Sequence, residues 1–446
     1  ATTIEGQTYE PTIELRNEIL LNAAGNVSID GTLTAEDGLV TTRNVGITAT
    51  GGTVSINDFG SGTTLGNHYD VAILAANEVN LGGGVGSFGK FQHGLQFLTI
   101  NTITNSVNFN ATSGLSLGGN LSIESSPNVN ISSGATLETE GDLTINSTDI
   151  SLGASVTTDS GTLTLNGTAS VTDSIVLDSG SGDLTVTGAL LATTNGTHDV
   201  TINSGGTAKI GGAVGNATAA SDLFFANLTT DAGGTTEFNG NIFAAEQVFN
   251  DDIVLNQGLS TDLTAGGVNA TFNGNVDAES SDIVLDFTTT AIDGSKWSNL
   301  AELTVNADTG GTIGLSGTIT SSGSQTYNGA VQLDGDTTLD GGFALNLAQG
   351  VVGNSKNLVL DFINQPTSLA GNFTGINDLT SKGDVLISGE IMTSGNQSYD
   401  AGVTLDGDTE LDGNSLSLNG VNGGDNDLVI GFNTTTAINS NWTNIE

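Results

Sequence analysis

An aliphatic residue, a small polar residue and a second aliphatic residue recur together along the chain, and this triplet constrains the fold most. It reads Val27-Ser28-Ile29, Val54-Ser55-Ile56, Val79-Asn80-Leu81, Leu98-Thr99-Ile100 and Leu121-Ser122-Ile123. It continues as Leu143-Thr144-Ile145, Leu163-Thr164-Leu165, Leu184-Thr185-Val186 and Val200-Thr201-Ile202. Alternation with period two marks a short strand with one face buried. From Leu98 to Leu184 the triplets are almost evenly spaced, and the last step, to Val200, is shorter. Gly, Asn, Asp and Ser fill the intervals, and these residues accept turns and left-handed backbone. Strands so spaced, without Asn-Gly at every second connection, do not read as hairpins. They read as coils in which each strand pairs in parallel with its counterpart one coil away. The spacing predicts an all-β, parallel β-helix or β-solenoid with coils of about 20–25 residues. No segment carries the apolar spacing of a capped helix.

A longer repeat overlies the coils. Ser324-Gln325-Thr326-Tyr327-Asn328 with Leu333-Asp334-Gly335-Asp336-Thr337 returns, at one constant offset, as Asn396-Gln397-Ser398-Tyr399-Asp400 with Leu405-Asp406-Gly407-Asp408-Thr409. A weaker copy lies at Glu246-Gln247-Val248-Phe249-Asn250, and Gly6-Gln7-Thr8-Tyr9-Glu10 carries the same phrase. The stretches beginning at Ile283, Leu358 and Leu428 form a second recurring landmark, and the surroundings of Trp297 return around Trp442. The expectation is super-repeats of about three or more coils in one continuous array. Residues 1–210 would hold irregular coils and residues 211–446 the longer super-repeats. The recurring Tyr and Trp side chains are expected to stack in or against the core. The capping coil that protects a solenoid's open strand edges is not evident at either end. Head-to-tail self-association, or continuation in a longer chain, is therefore expected.

The chain has 446 residues, of which 36% are apolar and 5% aromatic, too few for several large globular cores. Seven Lys plus Arg face 49 Asp plus Glu, a formal net charge of −42. Such a surface repels phosphate backbones and anionic headgroups, so neither nucleic acid nor an anionic lipid surface is an expected partner. No apolar run is long enough to span a bilayer, so membrane insertion is not expected. Cysteine is absent, which excludes disulfides and thiolate metal sites and fits a large exported bacterial protein.

The phrases "SGSQTYNGAVQLDGDTTLDG", "SGNQSYDAGVTLDGDTELDG" and "GTLTLNGTASVT" resemble the repeats of filamentous-haemagglutinin-like proteins, very large exported bacterial adhesins. The resemblance implies a right-handed parallel β-helix and a role at the cell surface. That family's N-terminal secretion domain is not recognisable among these residues.

Few motifs suggest chemistry. Gly84-Val85-Gly86-Ser87-Phe88-Gly89-Lys90 has the spacing of a phosphate-binding loop, but Phe91 stands where a hydroxyl is needed and no helix follows. His68, His93 and His198 lie far apart and lack neighbours at metal-ligand spacing. The polysaccharide lyases and hydrolases built on β-helices combine carboxylates with a cation, and cations are sparse here. The strongest candidate is acidic: Asp334, Asp336 and Asp340, repeated as Asp406, Asp408 and Asp412, offer the oxygen ligands that calcium requires. Asp-Gly as an ordinary turn is the competing reading.

The expectation is an extracellular structural or adhesive repeat protein of the bacterial cell surface, without enzymatic activity and without a cofactor other than calcium. It would form an elongated stalk or filament, with a surface glycan or cell-surface receptor as partner. A β-helical polysaccharide-active enzyme or receptor-binding fibre is the alternative, and a surface-layer lattice protein stands behind it.

Overall fold

The computed structural model describes residues 6–10, 13–15, 18–35, 43–59, 69–82, 95–110, 114–218, 221–255, 261–308, 310–434, 437–438 and 442–445. Among these residues there is no helix, and nearly all strand pairing is parallel between successive coils. The fold is a parallel β-solenoid of about 18 turns. The exception is one small antiparallel pair, Asn216–Thr218 with Ser221–Leu223. The chain divides into two compact units, residues 1–239 and 240–446.

In the first unit the coils from Leu115 onward lay strand on three faces. The strand Leu143–Leu152 breaks register between Asn146 and Asp149, so it serves two faces, and Val156–Thr158 serves the third. One column of inward residues runs through Ile19, Val45, Val71, Leu98, Leu121, Leu143, Leu163, Leu184 and Ala208. A second runs through Val27, Val54, Val79, Val107, Val129, Ile150, Ala169 and Leu190. A third runs through Leu115, Leu137, Val156, Leu177 and Ile202. From the second coil on, these inward side chains are buried along with their partners two residues away. Strands in register lie about 4.8 Å apart, so each inward methyl group meets a similar one above and below.

The triplets predicted from sequence are therefore real, but they belong to more than one face. Those at Leu98, Leu121, Leu143, Leu163 and Leu184 do stack in order. The strand that follows Leu184 in that column is Ala208, Lys209 and Ile210. Val200 instead pairs with Ile175, so the short step from Leu184 to Val200 links two faces. Likewise the coil-to-coil successor of Val79 is Val107, while Leu98 follows Val71. Coil length varies widely, from the short coil between Val385 and Val403 to the long one between Val79 and Val107.

Corners of so narrow a cross-section turn carbonyl groups away from the ladder, and each needs a donor. Buried hydroxyls supply it. Thr139, Thr158, Ser179 and Ser204 follow one another at the same corner of successive coils, all within 3% of full burial. Thr139 donates to Gly141 O at 2.7 Å, Thr158 to Gly161 O at 2.8 Å, and Ser179 and Ser204 to Gly182 O at 2.8 and 2.9 Å.

The second unit repeats the three-faced plan. Its first face stacks Leu285, Val305, Tyr327, Leu347, Leu369, Ile387 and Leu405. Its second stacks Gln247, Ala270, Thr290, Ile313, Val331, Val351, Phe373, Ile391, Leu411 and Ile430. Its third includes Ile319, Leu339, Leu360, Ser381, Tyr399 and Leu418. The long sequence repeat does not span a whole number of coils. Eleven strand positions separate Gln247 from Gln325, and eleven again separate Gln325 from Gln397. With three strands per coil, that is three coils and two further strands. The three copies consequently lie on the second, first and third faces. The copies at Ile283, Leu358 and Leu428 obey the same count, on the first, third and second.

Gly180 shows how tight the corners are. Its φ is +56°, and a Cβ there would sit 1.9 Å from the Asp159 carbonyl oxygen of the previous coil. Gly180→Ala is expected to destabilise the protein by about 2 kcal/mol or more, read as a lowered midpoint in urea unfolding.

Candidate functional site

The two acidic triplets do not form one site. They belong to copies of the repeat on different faces, so Asp334, Asp336 and Asp340 cannot stack on Asp406, Asp408 and Asp412. Asp334, Asp336, Asp406 and Asp408 are exposed, while Asp340 and Asp412 are half-buried. Among the described residues no group of three or more His, Asp or Glu side chains converges as a metal site would require. Most of these aspartates instead join coils or shape corners. Asp336 Oδ1 accepts from the Asn357 backbone N–H at 2.9 Å, and Asp408 Oδ1 from that of Asp427 at 3.1 Å. Asp334 Oδ1 accepts from Gln332 Nε2 at 3.1 Å. Asp340 and Asp412 contribute backbone carbonyls to a buried amide, described below.

The Asp336 contact is one rung of a staircase. Asn357 Oδ1 accepts from Asp378 N at 3.2 Å, Asp378 Oδ1 from Asn396 N at 2.7 Å, and Asn396 Oδ1 from Ser415 Oγ at 2.6 Å. In the first unit Asn120 and Asp142 do the same for Asp142 N and Thr162 N. Each side chain satisfies a strand-opening donor of the next coil, as an N-cap does for a helix. Outward asparagines also stack, Asn108 donating to Asn80 at 2.9 Å and Asn130 to Asn108 at 2.7 Å.

The best-defined buried polar cluster is the Gln-x-Tyr phrase. Gln325 is fully buried, and its Nε2 lies 2.8 Å from Asp340 O, 3.1 Å from Ile319 O and 3.2 Å from Ser321 Oγ. Tyr327 Oη donates to Gln325 Oε1 at 2.9 Å. Gln397 repeats this with Asp412 O at 2.8 Å, Ile391 O at 3.0 Å and Thr393 Oγ1 at 3.4 Å, and Tyr399 Oη donates to it at 3.0 Å. Each amide thus clips a corner of its own coil to a corner of the next. At Gln7 the pattern is looser: Tyr9 Oη donates at 3.0 Å and the amide reaches Asn22 O at 3.5 Å. At Gln247 the aromatic residue is Phe249, and Gln247 Oε1 is left buried without a hydrogen-bond partner. The sequence signalled the aromatic residues as core but not the clip. The constant Gln two positions before Tyr, with Ser or Thr four before the Gln, was the available sign.

The described lysine contacts are likewise between coils. Lys209 pairs with Glu237 at 3.0 Å, Lys382 pairs with Asp361, and Lys296 Nζ lies 3.3 and 3.0 Å from the carbonyls of Phe272 and Asn273. Asp361 holds the Lys382 ammonium above the usual lysine value, and burial, then the charge of Asp308, raises the Asp286 carboxyl from its ordinary value. His198 is half-buried, while His68, His93 and residues 84–90 lie outside the described residues. A shallow groove of about 350 Å³ runs beside one corner of the second unit, bounded by Asp384, Leu386, Gly402, Thr404, Asn422 and Thr443. Among the described residues Asp384 is the one ionisable residue along it, and its Oδ1 already accepts from Gly402 N at 2.7 Å. Comparison of the chain with family models, curated proteins and solved structures finds no match.

The clip can be completed or broken by one hydroxyl. Phe249→Tyr supplies the missing donor and is expected to stabilise the protein by about 1 kcal/mol, while Tyr327→Phe orphans an amide oxygen and costs about 1–3 kcal/mol, both read from urea midpoints. Burial also holds the Tyr327 and Tyr399 phenols far above their ordinary value. Unfolded, they ionise near pH 10, so their contribution is intact below that pH and is lost as pH rises above it. The melting temperature is expected to fall above about pH 10, and less steeply in the Tyr327→Phe, Tyr399→Phe double variant.

Proposed function

We propose that this chain is an extracellular structural and adhesive repeat protein of a bacterial cell surface, and not an enzyme. One observation carries the reading. The glutamine clips, Asp and Asn staircases and lysine pairs bind coil to coil, and the corner hydroxyls satisfy carbonyls of the turns. The outward surface is left mainly polar and acidic, with single exposed apolar side chains such as Leu20, Phe343 and Ile363. A catalytic centre needs groups held apart from such duties, with charges placed where the transition state develops its own. A cysteine-free composition and the resemblance to exported adhesin repeats support the location. In this role a glycan or receptor meets the outward side chains, and the solenoid provides a stiff support for them.

Antibodies against the chain are expected to label intact cells of the producing bacterium as strongly as permeabilised ones. Labelling that appears only after permeabilisation overturns the location. Depolymerisation of an acidic polysaccharide by the purified protein overturns the non-catalytic reading.

A further inference from the structure

We propose that the eleven-strand unit is the module by which this solenoid is lengthened or shortened, and that it presents its outward side chains on the three faces in turn. Three copies can be followed in the second unit. Each copy moves back by one face, and the internal bonds survive the step from the Gln325 copy to the Gln397 copy, while the Gln247 copy keeps the glutamine without its tyrosine partner. The clip of Gln325 reaches Ile319 O, Ser321 Oγ and Asp340 O, and that of Gln397 reaches their counterparts Ile391 O, Thr393 Oγ1 and Asp412 O. The following corner is also preserved. Thr337 Oγ1 donates to Gly335 O at 3.0 Å and Leu315 O at 3.1 Å, while Thr409 Oγ1 donates to Gly407 O at 2.9 Å and Ile387 O at 3.3 Å. Asp336 and Asp408 each hold the next coil's backbone N–H. Even the large aromatic returns, as Trp297, Phe373 and Trp442, each eleven strands from the last. The clip is made on the first and third faces alike, and the large aromatic recurs on the third, second and first. The three faces are therefore equivalent sockets.

If an eleven-strand unit is removed, the residues after it meet homologous partners. With residues 328–399 deleted, Val403 and Leu405 would pair with Ile313 and Leu315 in place of Val385 and Ile387. Leu416 and Leu418 would follow Gln325 and Tyr327 in place of Gln397 and Tyr399, and Gln325 would clip to Asp412 O. Everything downstream turns by one face. In the native chain, successive copies sit eleven thirds of a coil apart, about 18 Å along the axis, and a third of a turn around it. The exposed pair Asp334 and Asp336 and its counterpart Asp406 and Asp408 thus point to different sides. A rigid partner lying along one face cannot engage both.

Two experiments on the full chain test this. The deletion of residues 328–399 is expected to retain cooperative unfolding, with a melting temperature within about 5 °C of the parent. Loss of cooperative unfolding overturns the module, whether or not a whole-coil deletion of residues 328–387 still folds. The rotation is tested without shortening the chain, using spin labels at introduced cysteines. Thr326 and Thr404 share the first face four coils apart, about 19 Å. The Thr326→Cys, Ser398→Cys pair is expected to give a longer distance than the Thr326→Cys, Thr404→Cys pair, although it is closer in sequence. The reverse order overturns the one-face step.

Discussion

Every other feature of this protein depends on the contact between an inward side chain and its counterpart one coil away, held at the strand spacing of about 4.8 Å by parallel backbone hydrogen bonds. Leu121 is buried because Leu98 and Leu143 lie below and above it, and the same holds for Ile123 between Ile100 and Ile145. Stability in such an array is a sum over neighbouring coils rather than the property of one central core. Column identity therefore matters more than position in the chain. Extra chain can be added between columns, as in the long coil from Val79 to Val107, while the columns stay in register.

The ladder creates a difficulty at its corners, and the polar composition answers it. A three-faced coil turns sharply three times, and although many turn N–H groups bond to the neighbouring coil, some backbone groups are directed where no neighbouring strand reaches them. Inside, Ser and Thr hydroxyls and the glutamine amides satisfy carbonyls; outside, Asp and Asn side chains satisfy the N–H groups that open the next strand. Gln247 shows the cost when one part is missing, since Phe249 cannot donate and an amide oxygen stays unsatisfied. The abundance of Thr, Ser, Asn and Asp, compatible with disorder in a bare composition, is here the chemistry of turning.

The architecture was legible because period-two triplets survive any choice of register, and the run from Leu98 to Leu184 stacks as the spacing predicts. The assignment of strands to faces was less legible. Two faces of one coil look alike in sequence, so Val200 passed for the successor of Leu184. The true successor, Ala208 with Ile210, was hidden by its small first residue and the outward Lys209. The acidic triplets were visible as a repeat, yet their separation was not, because nothing local states that the step from Tyr327 to Tyr399 ends on a different face. Phe373 was missed for a related reason: it stands where Trp297 and Trp442 stand, but its own copy differs in spacing.

Sequence period and structural period need not share a common measure when the faces are equivalent. In a solenoid with one specialised face, a repeat that shifted by a third of a turn would carry that face's chemistry to the wrong side, and only whole-coil repeats would persist. Here every face takes inward residues two positions apart, most of them aliphatic, so an eleven-strand repeat is tolerated. The outward consequence follows directly. Asp334 and Asp336 lie on one side and Asp406 and Asp408 on another, so the repeat spreads negative charge around the axis instead of along a stripe. A stripe would leave bare, flat faces open to sheet stacking between molecules, whereas distributed charge opposes association on every side.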